Sequence, residues 1–130
     1  MTSPSPRAAP LVLIVDDNQK NLKLARDVLS AAGFRTLEAV SGAEGIALAD
    51  KHLPDVILMD VRLPDMAGTE AALALGSGAR TARIPVVALS ALPLEGEWFL
   101  AAGFAGYLEK PISVGAFPDQ VRRYCARAGG

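Results

Sequence analysis

Val56-Ile57-Leu58-Met59-Asp60 places four apolar residues in a row and closes them with a carboxylate. An unbroken apolar run of this length reads as a strand covered on both faces, the kind found in the middle of a parallel sheet. Leu63-Pro64-Asp65 begins a turn just beyond it. In open α/β sheets, chemistry collects outside the carboxyl ends of the strands. Taken alone, Asp60 is a turn residue or a helix cap. Its meaning depends on what the other strands deliver beside it.

Working outward, Leu11-Val12-Leu13-Ile14-Val15 is a second buried strand, and it ends in Asp16-Asp17-Asn18. Over residues 19–32, Leu22, Ala25, Leu29 and Ala32 recur at helical spacing with Leu24 and Val28 beside them, and Gly33 supplies the stop. Residues 34–40 form a shorter, less apolar strand nearer an edge. Ser41 and Glu44 have the spacing of a capping box, opening a helix that ends near Lys51 because Pro54 cannot continue it. After Asp60, an Ala-rich helix over 69–75 is expected to break early at Gly76-Ser77-Gly78. Residues 84–89 form a fourth buried strand that delivers Ser90. A short helix over 95–102 stops at Gly103, and residues 105–108 form a fifth strand leading into Glu109-Lys110-Pro111. In the last helix Val114, Phe117, Val121 and Tyr124 make a buried stripe, but Pro118 falls inside it, so regular helix is expected to begin at Pro118.

Strands alternating with helices predict an α/β fold: a five-stranded parallel sheet with helices on both faces, joined by right-handed crossovers. The expected organisation is a disordered leader over 1–10, one domain over 11–127 and a tail over 128–130. The length of 130 residues fits one domain. Thirteen basic against fourteen acidic residues argue against nucleic acid as a partner, which needs a concentrated basic face. The single cysteine, Cys125, excludes an internal disulfide and a Cys-based zinc site. No apolar run reaches the ~18 residues of a membrane span, and residues 1–10 lack the apolar core of a signal peptide. A cytoplasmic protein is expected.

The groups delivered to one edge of the sheet are Asp16 and Asp17, Asp60, Ser90 and Lys110. Carboxylates ~4 Å apart repel by roughly a few kcal/mol per pair, and tolerate this only with a cation present. Oxygen ligands without nearby His or Cys favour a hard ion that keeps waters, and Mg²⁺ is the natural choice. Ser90 offers a hydroxyl and Lys110 a point charge, a pair suited to a phosphoryl group. Asp60 is therefore a candidate phosphoryl acceptor attacking phosphorus in line, with Asp16 and Asp17 as metal holders.

The segments Val15-Asp16-Asp17-Asn18, Leu58-Met59-Asp60-Val61-Arg62-Leu63-Pro64, Ala88-Leu89-Ser90-Ala91 and Gly106-Tyr107-Leu108-Glu109-Lys110-Pro111 resemble a response-regulator receiver domain of the stand-alone type. The resemblance implies a flavodoxin-like fold of strand order 2-1-3-4-5. It implies phosphorylation of Asp60 by a histidine kinase or histidine phosphotransfer protein. Mg²⁺ would be held by Asp16, Asp17, Asp60 and the backbone carbonyl of Arg62, with Lys110 and Ser90 on the phosphoryl oxygens. It also implies a cis Lys110-Pro111 bond, a switch formed by Ser90 and Tyr107, and a readout face made of the 95–102 helix, the fifth strand and the last helix. The protein would not be a turnover enzyme, and would be a monomer or weak homodimer. Arg62 and Leu92 occupy the two positions that tune access of water to the acyl phosphate, so slow self-dephosphorylation is expected.

Other readings compete. Tyr107 alone reads as a half-buried strand residue. Asn18 and Asn21 read as helix-start residues, His52 as exposed and Cys125 as packing. Trp98 suits either the interior or a partner surface. A receiver fold used as a phosphorylation-independent binding module is the main alternative function, which the intact set of acids, Ser90 and Lys110 disfavours. An Asp-nucleophile phosphatase would need a second acid where Arg62 stands, and a dinucleotide binder a Gly-rich loop after Val15.

Overall fold

The computed structural model describes residues 9–91, 101–110 and 112–129, with side chains as far as 125. In chain order the elements are β1 (Leu11–Val15), α1 (Gln19–Ala31), β2 (Arg35–Ala39), α2 (Gly42–His52), β3 (Val56–Asp60), α3 (Gly68–Ser77), β4 (Val86–Ser90), β5 (Gly106–Glu109) and α4 (Phe117–Gly129). The strands form one parallel sheet of order β2-β1-β3-β4-β5, the flavodoxin-like arrangement. Among the described residues no helix is long and apolar enough to cross a membrane.

The unbroken apolarity of the central strands has a direct cause. Successive residues point to opposite faces, and both faces are covered. Val12, Ile14, Leu58 and Leu89 join Leu22 and Leu29 of α1 and Phe117 and Val121 of α4 in one core. Leu13, Val15, Ile57 and Met59 join Ala49 of α2 and Ala71 and Leu75 of α3 in the other. Each fully buried aliphatic side chain contributes ~1.5–3 kcal/mol. All five residues of β3 are buried. β3 pairs with β1 on one side and β4 on the other, setting Val15 opposite Met59 and Asp60 opposite Leu89.

Helix starts follow their expected residues with one shift. Asn18 caps α1, its side chain accepting from the amides of Lys20 at 2.9 Å and Asn21 at 3.2 Å. Ser41 caps α2 through the Glu44 amide at 3.1 Å. The Glu44 carboxylate reaches back to the amide of Val40, 2.7 Å away, one residue beyond the usual capping-box partner. α2 ends on Leu53, whose φ of 49° is left-handed, with buried Pro54 after it.

The early end of α3 is met and two other expectations need correction. α3 stops at Ser77 with Gly78 beyond it, inside the expected Gly76-Ser77-Gly78 break; Thr81 Oγ then donates to the Leu75 carbonyl at 2.6 Å. Burial of Ala71, Ala72 and Leu75 outweighs the ~1 kcal/mol that a helical glycine costs. Val114 is 60% exposed, because it lies in the turn before α4 and the helical phase does not extend back to it. Leu24 likewise points outward at 38% exposure. The late start of the last helix holds: Phe117 begins it, the Ser113 carbonyl accepts from the Phe117 amide at 2.8 Å, and Pro118 sits in the first turn, where its missing donor costs nothing.

Residues 1–8 of the expected 1–10 leader, Leu92-Pro93-Leu94, Trp98, most of the 95–102 helix and the Lys110-Pro111 bond lie outside the described residues. The expected stop at Gly103 lies within them, and this glycine takes a left-handed φ of 103°.

Candidate functional site

The register of the central strands decides what meets at the carboxyl edge. β1 ends at Val15 beside Met59, so Asp16 and Asp17 follow it at the level of Asp60. β4 brings Ser90 opposite Glu109 of β5, and the Lys110 amide donates to the Ser90 carbonyl at 2.8 Å, holding Lys110 to the same edge. Asp16 is buried, Asp17 is exposed and Asp60 is 9% exposed. One carboxylate oxygen from each of these three acids lies within 4.8 Å of the others. Lys110 Nζ stands 2.8 Å from Asp16 Oδ2 and 2.8 Å from Asp60 Oδ2.

Each buried acid is also held by its own strand end. Asp16 Oδ1 accepts from the Asn18 amide at 2.9 Å, and its Oδ2 from the Asn21 side chain at 3.2 Å. Asp60 Oδ1 accepts from the Arg62 amide at 2.9 Å. Burial pushes the Asp60 carboxyl above the usual carboxylate range, and the Lys110 and Arg62 hydrogen bonds only partly offset it. Burial also works against the Lys110 ammonium, but its hydrogen bonds to Asp16 and Asp60 leave it above the ordinary lysine value. Lys110 is thus a firm cation at neutral pH.

Three carboxylates face one ammonium, so the cluster has acidic charge to spare. Its oxygen-only donors suit a small hard divalent cation and offer nothing to a soft one.

The loop over 61–67 leaves this edge tightly. Arg62 and Ala67 form an antiparallel bridge, and the Gly68 amide donates to the Val61 carbonyl at 2.9 Å. Gly68 packs so closely that a Cβ there would lie 2.5 Å from the Asp60 carbonyl oxygen and 2.8 Å from Val61 Cα. At the far end of the loop, Asp65 accepts from the amides of Gly42 and Ala43 at 2.8 and 2.9 Å. The Ala43 and Gly42 amides hold its carboxyl below the usual range.

The structure therefore brings Asp16, Asp17, Asp60, Ser90 and Lys110 to one edge. Ser90 is 5% exposed. Arg62 presents its backbone to Asp60, while the residue as a whole is exposed. Tyr107 is half-buried on β5, packed against the core shared with α2 and α3, and is one of the residues lining an open cleft with Gln120 and Tyr124 of α4. Two contributors escaped the sequence reading. Asn21 was a helix-start residue there, yet its amide group reaches Asp16. Asp65 was only the beginning of a turn.

The remaining candidates are bland. His52 is exposed in the last turn of α2. Cys125 is half-buried against the α1 side of the core, and burial, aided by Asp55, pushes its thiol up to about 11, so it is no thiolate nucleophile at neutral pH.

A model of the response regulator receiver domain matches residues 12–122. The polar-differentiation response regulator DivK of Brucella ovis is 40% identical over 119 residues, which span 90% of this chain and 97% of that protein. Among solved structures, the receiver domain of a sensor histidine kinase from Pseudomonas aeruginosa PAO1, with a magnesium ion coordinated in its active-site cleft, superimposes with a TM-score of 0.83. It is 30% identical, covering 92% of this chain and 99% of that one. The chemotaxis response regulator CheY4 of Vibrio cholerae gives 0.81 at 28% identity, over 89% of this chain and 98% of that one.

Proposed function

Because the chain belongs to the response regulator receiver domain family of two-component signalling, we propose that Asp60 is its phosphoryl acceptor, charged by a histidine kinase or histidine phosphotransfer protein. The observation that carries this reading is Lys110 Nζ, 2.8 Å from both Asp16 and Asp60, in a cluster whose third acid is Asp17. An Asp60 oxygen attacks phosphorus in line; the bond to the donor's imidazole nitrogen breaks with its electron pair going to that nitrogen, and because the other ring nitrogen carries a proton the ring leaves as neutral imidazole. The Arg62 amide orients the carboxylate for that attack. Lys110, already a cation beside Asp60, offsets charge on the phosphoryl oxygens, and the Ser90 hydroxyl donates to one of them.

Asp16, Asp17, Asp60 and the Arg62 carbonyl would hold Mg²⁺. When bound, the ion neutralises negative charge at the acceptor and on the phosphoryl oxygens. The acidic surplus of the cluster supports this assignment.

Ser90 and Tyr107 form the switch on this reading. A new dianionic charge on Asp60 draws the hydroxyl, and the Tyr107 ring rotates inward behind it, a population shift between two packings. Output follows through protein contacts on the face that includes β5 and α4, or by onward transfer of the phosphoryl group. The receiver unit spans 11–127, with 1–10 as leader and 128–130 as tail. It works in the cytoplasm as a monomer or weak homodimer, and assists its own phosphorylation without turning over a separate substrate.

Incubation with Mg²⁺ and acetyl phosphate should add one phosphoryl group, seen by intact-mass spectrometry, and Asp60→Asn should abolish it. A wild-type chain left unmodified by this donor and by its kinase would instead be a phosphorylation-independent binding module.

A further inference from the structure

The first amides of a helix lack acceptors within it. At the start of α2, Ser41 Oγ takes the Glu44 amide at 3.1 Å, and the Gly45 amide closes the first helical turn on the Ser41 carbonyl at 3.0 Å. The Gly42 and Ala43 amides are both taken by Asp65, which comes from a different crossover of the chain, 23 and 22 residues away. Met66 lies across Gly42, where a Cβ would meet its Cγ at 2.6 Å. The far end of the 61–67 loop is thereby fixed to α2. Its near end is cinched by the bridge between Arg62 and Ala67 and by Gly68 against the Asp60 carbonyl. Arg62 belongs to the near anchor, with its amide 2.9 Å from Asp60 Oδ1.

The geometry points to Asp65 as a positioning residue for the phosphoryl acceptor: its grip on the start of α2 fixes the loop whose Arg62 amide aims Asp60. This inference rests on the receiver reading above, in which Arg62 also turns its carbonyl to the metal. Only Leu63 and Pro64 separate Arg62 from Asp65, and the Pro64 ring holds its own φ fixed, so the link is short and stiff. A negative carboxylate at a helix N-terminus is also favoured by the helix dipole. Orientation matters at this scale, since an error of ~1 Å at a reacting group costs about a hundredfold in rate.

The test separates aiming from mere helix capping. Asp65→Ala and Ser41→Ala each remove a cap from α2, but only the first releases the loop. In Asp65→Ala, amide hydrogen exchange at Arg62, measured without divalent ions, should speed up by roughly tenfold. Phosphorylation by acetyl phosphate should slow by about the same factor. In Ser41→Ala, both should match wild type although the melting temperature falls. Asp65→Asn, which keeps an acceptor oxygen, should recover part of the protection at Arg62. If Asp65→Ala melts lower yet leaves Arg62 exchange and the phosphorylation rate at wild-type values, Asp65 is a helix cap only and the inference is wrong. If wild type itself takes no phosphoryl group, the receiver reading fails, while the exchange data still decide whether Asp65 holds Arg62.

Discussion

Lys110 is as close to Asp16 as to Asp60, with its ammonium 2.8 Å from each. One cation thus joins the ends of two neighbouring strands from a third element, in a largely buried position. Removing it leaves Asp16 and Asp60 facing each other without a counter-charge. Lys110→Ala should lower stability by roughly 3 kcal/mol in chelator, read by urea denaturation, and Mg²⁺ should restore more of it than it adds to wild type. An unchanged denaturation midpoint in chelator would show that the bridge contributes nothing.

Asp60 has the opposite sign. Its carboxyl is raised by burial, so the folded chain holds that proton more tightly than the unfolded chain does. The proton-linked stability is complete at low pH and is lost as pH climbs from the ordinary carboxylate range through the raised value. In chelator at pH 7, Asp60→Asn should therefore be more stable than wild type. The difference should shrink on acidification, and thermal melts across pH 4 to 7 (roughly the interval in which such carboxyls titrate) would reveal it.

Gly68 leaves no room for a side chain above the Asp60 carbonyl. Gly68→Ala must move backbone rather than a flexible side chain, at a cost of roughly 2–3 kcal/mol. Because the displaced backbone is that of Asp60, the proposed acceptor, acetyl phosphate labelling should slow by more than the loss of folded protein accounts for. Labelling that tracks the folded fraction alone would contradict this.

Leu53 ends α2 at a left-handed φ of 49° while 45% exposed. A branched residue there is strained by ~1–2 kcal/mol, and glycine is not. Leu53→Gly should raise stability by about 0.5–1 kcal/mol in chemical denaturation without altering phosphorylation. A destabilised variant would mean that packing of Leu53 outweighs its backbone strain.

The exposed Arg62 side chain stands two residues beyond the acceptor. As a large group beside the acyl phosphate it should obstruct water, giving the phosphorylated chain a lifetime well beyond seconds, and Arg62→Ala should shorten it several-fold. A time course of phosphoryl loss measures both; a wild-type lifetime of seconds would sink the idea.

The sheet was legible because its central strands are buried on both faces. Val56 to Met59 must be apolar without alternation when one core takes Leu58 and the other takes Ile57 and Met59. Asp16, Asp17, Asp60, Ser90 and Lys110 were legible because parallel strands put their carboxyl ends together. The grip of Asp65 on α2 was not, since two crossovers meeting in space leave no local pattern. Asn21 was hidden by its neighbour Asn18, which already satisfies the capping rule and makes a second polar residue look redundant. Val114 misled because periodicity carries no mark of where a helix begins.

β3 has a strand on either side and side chains locked into two separate cores, whereas β5 has a neighbour on one side only among the described residues. Asp60, the proposed acceptor, is therefore mounted on the stator of the device. On the proposed function, a charge added at Asp60 would have little freedom to displace its own strand, and the mechanical response would fall to the margin of the sheet. The stiffness of the centre would then be what lets a local chemical event be felt at the rim.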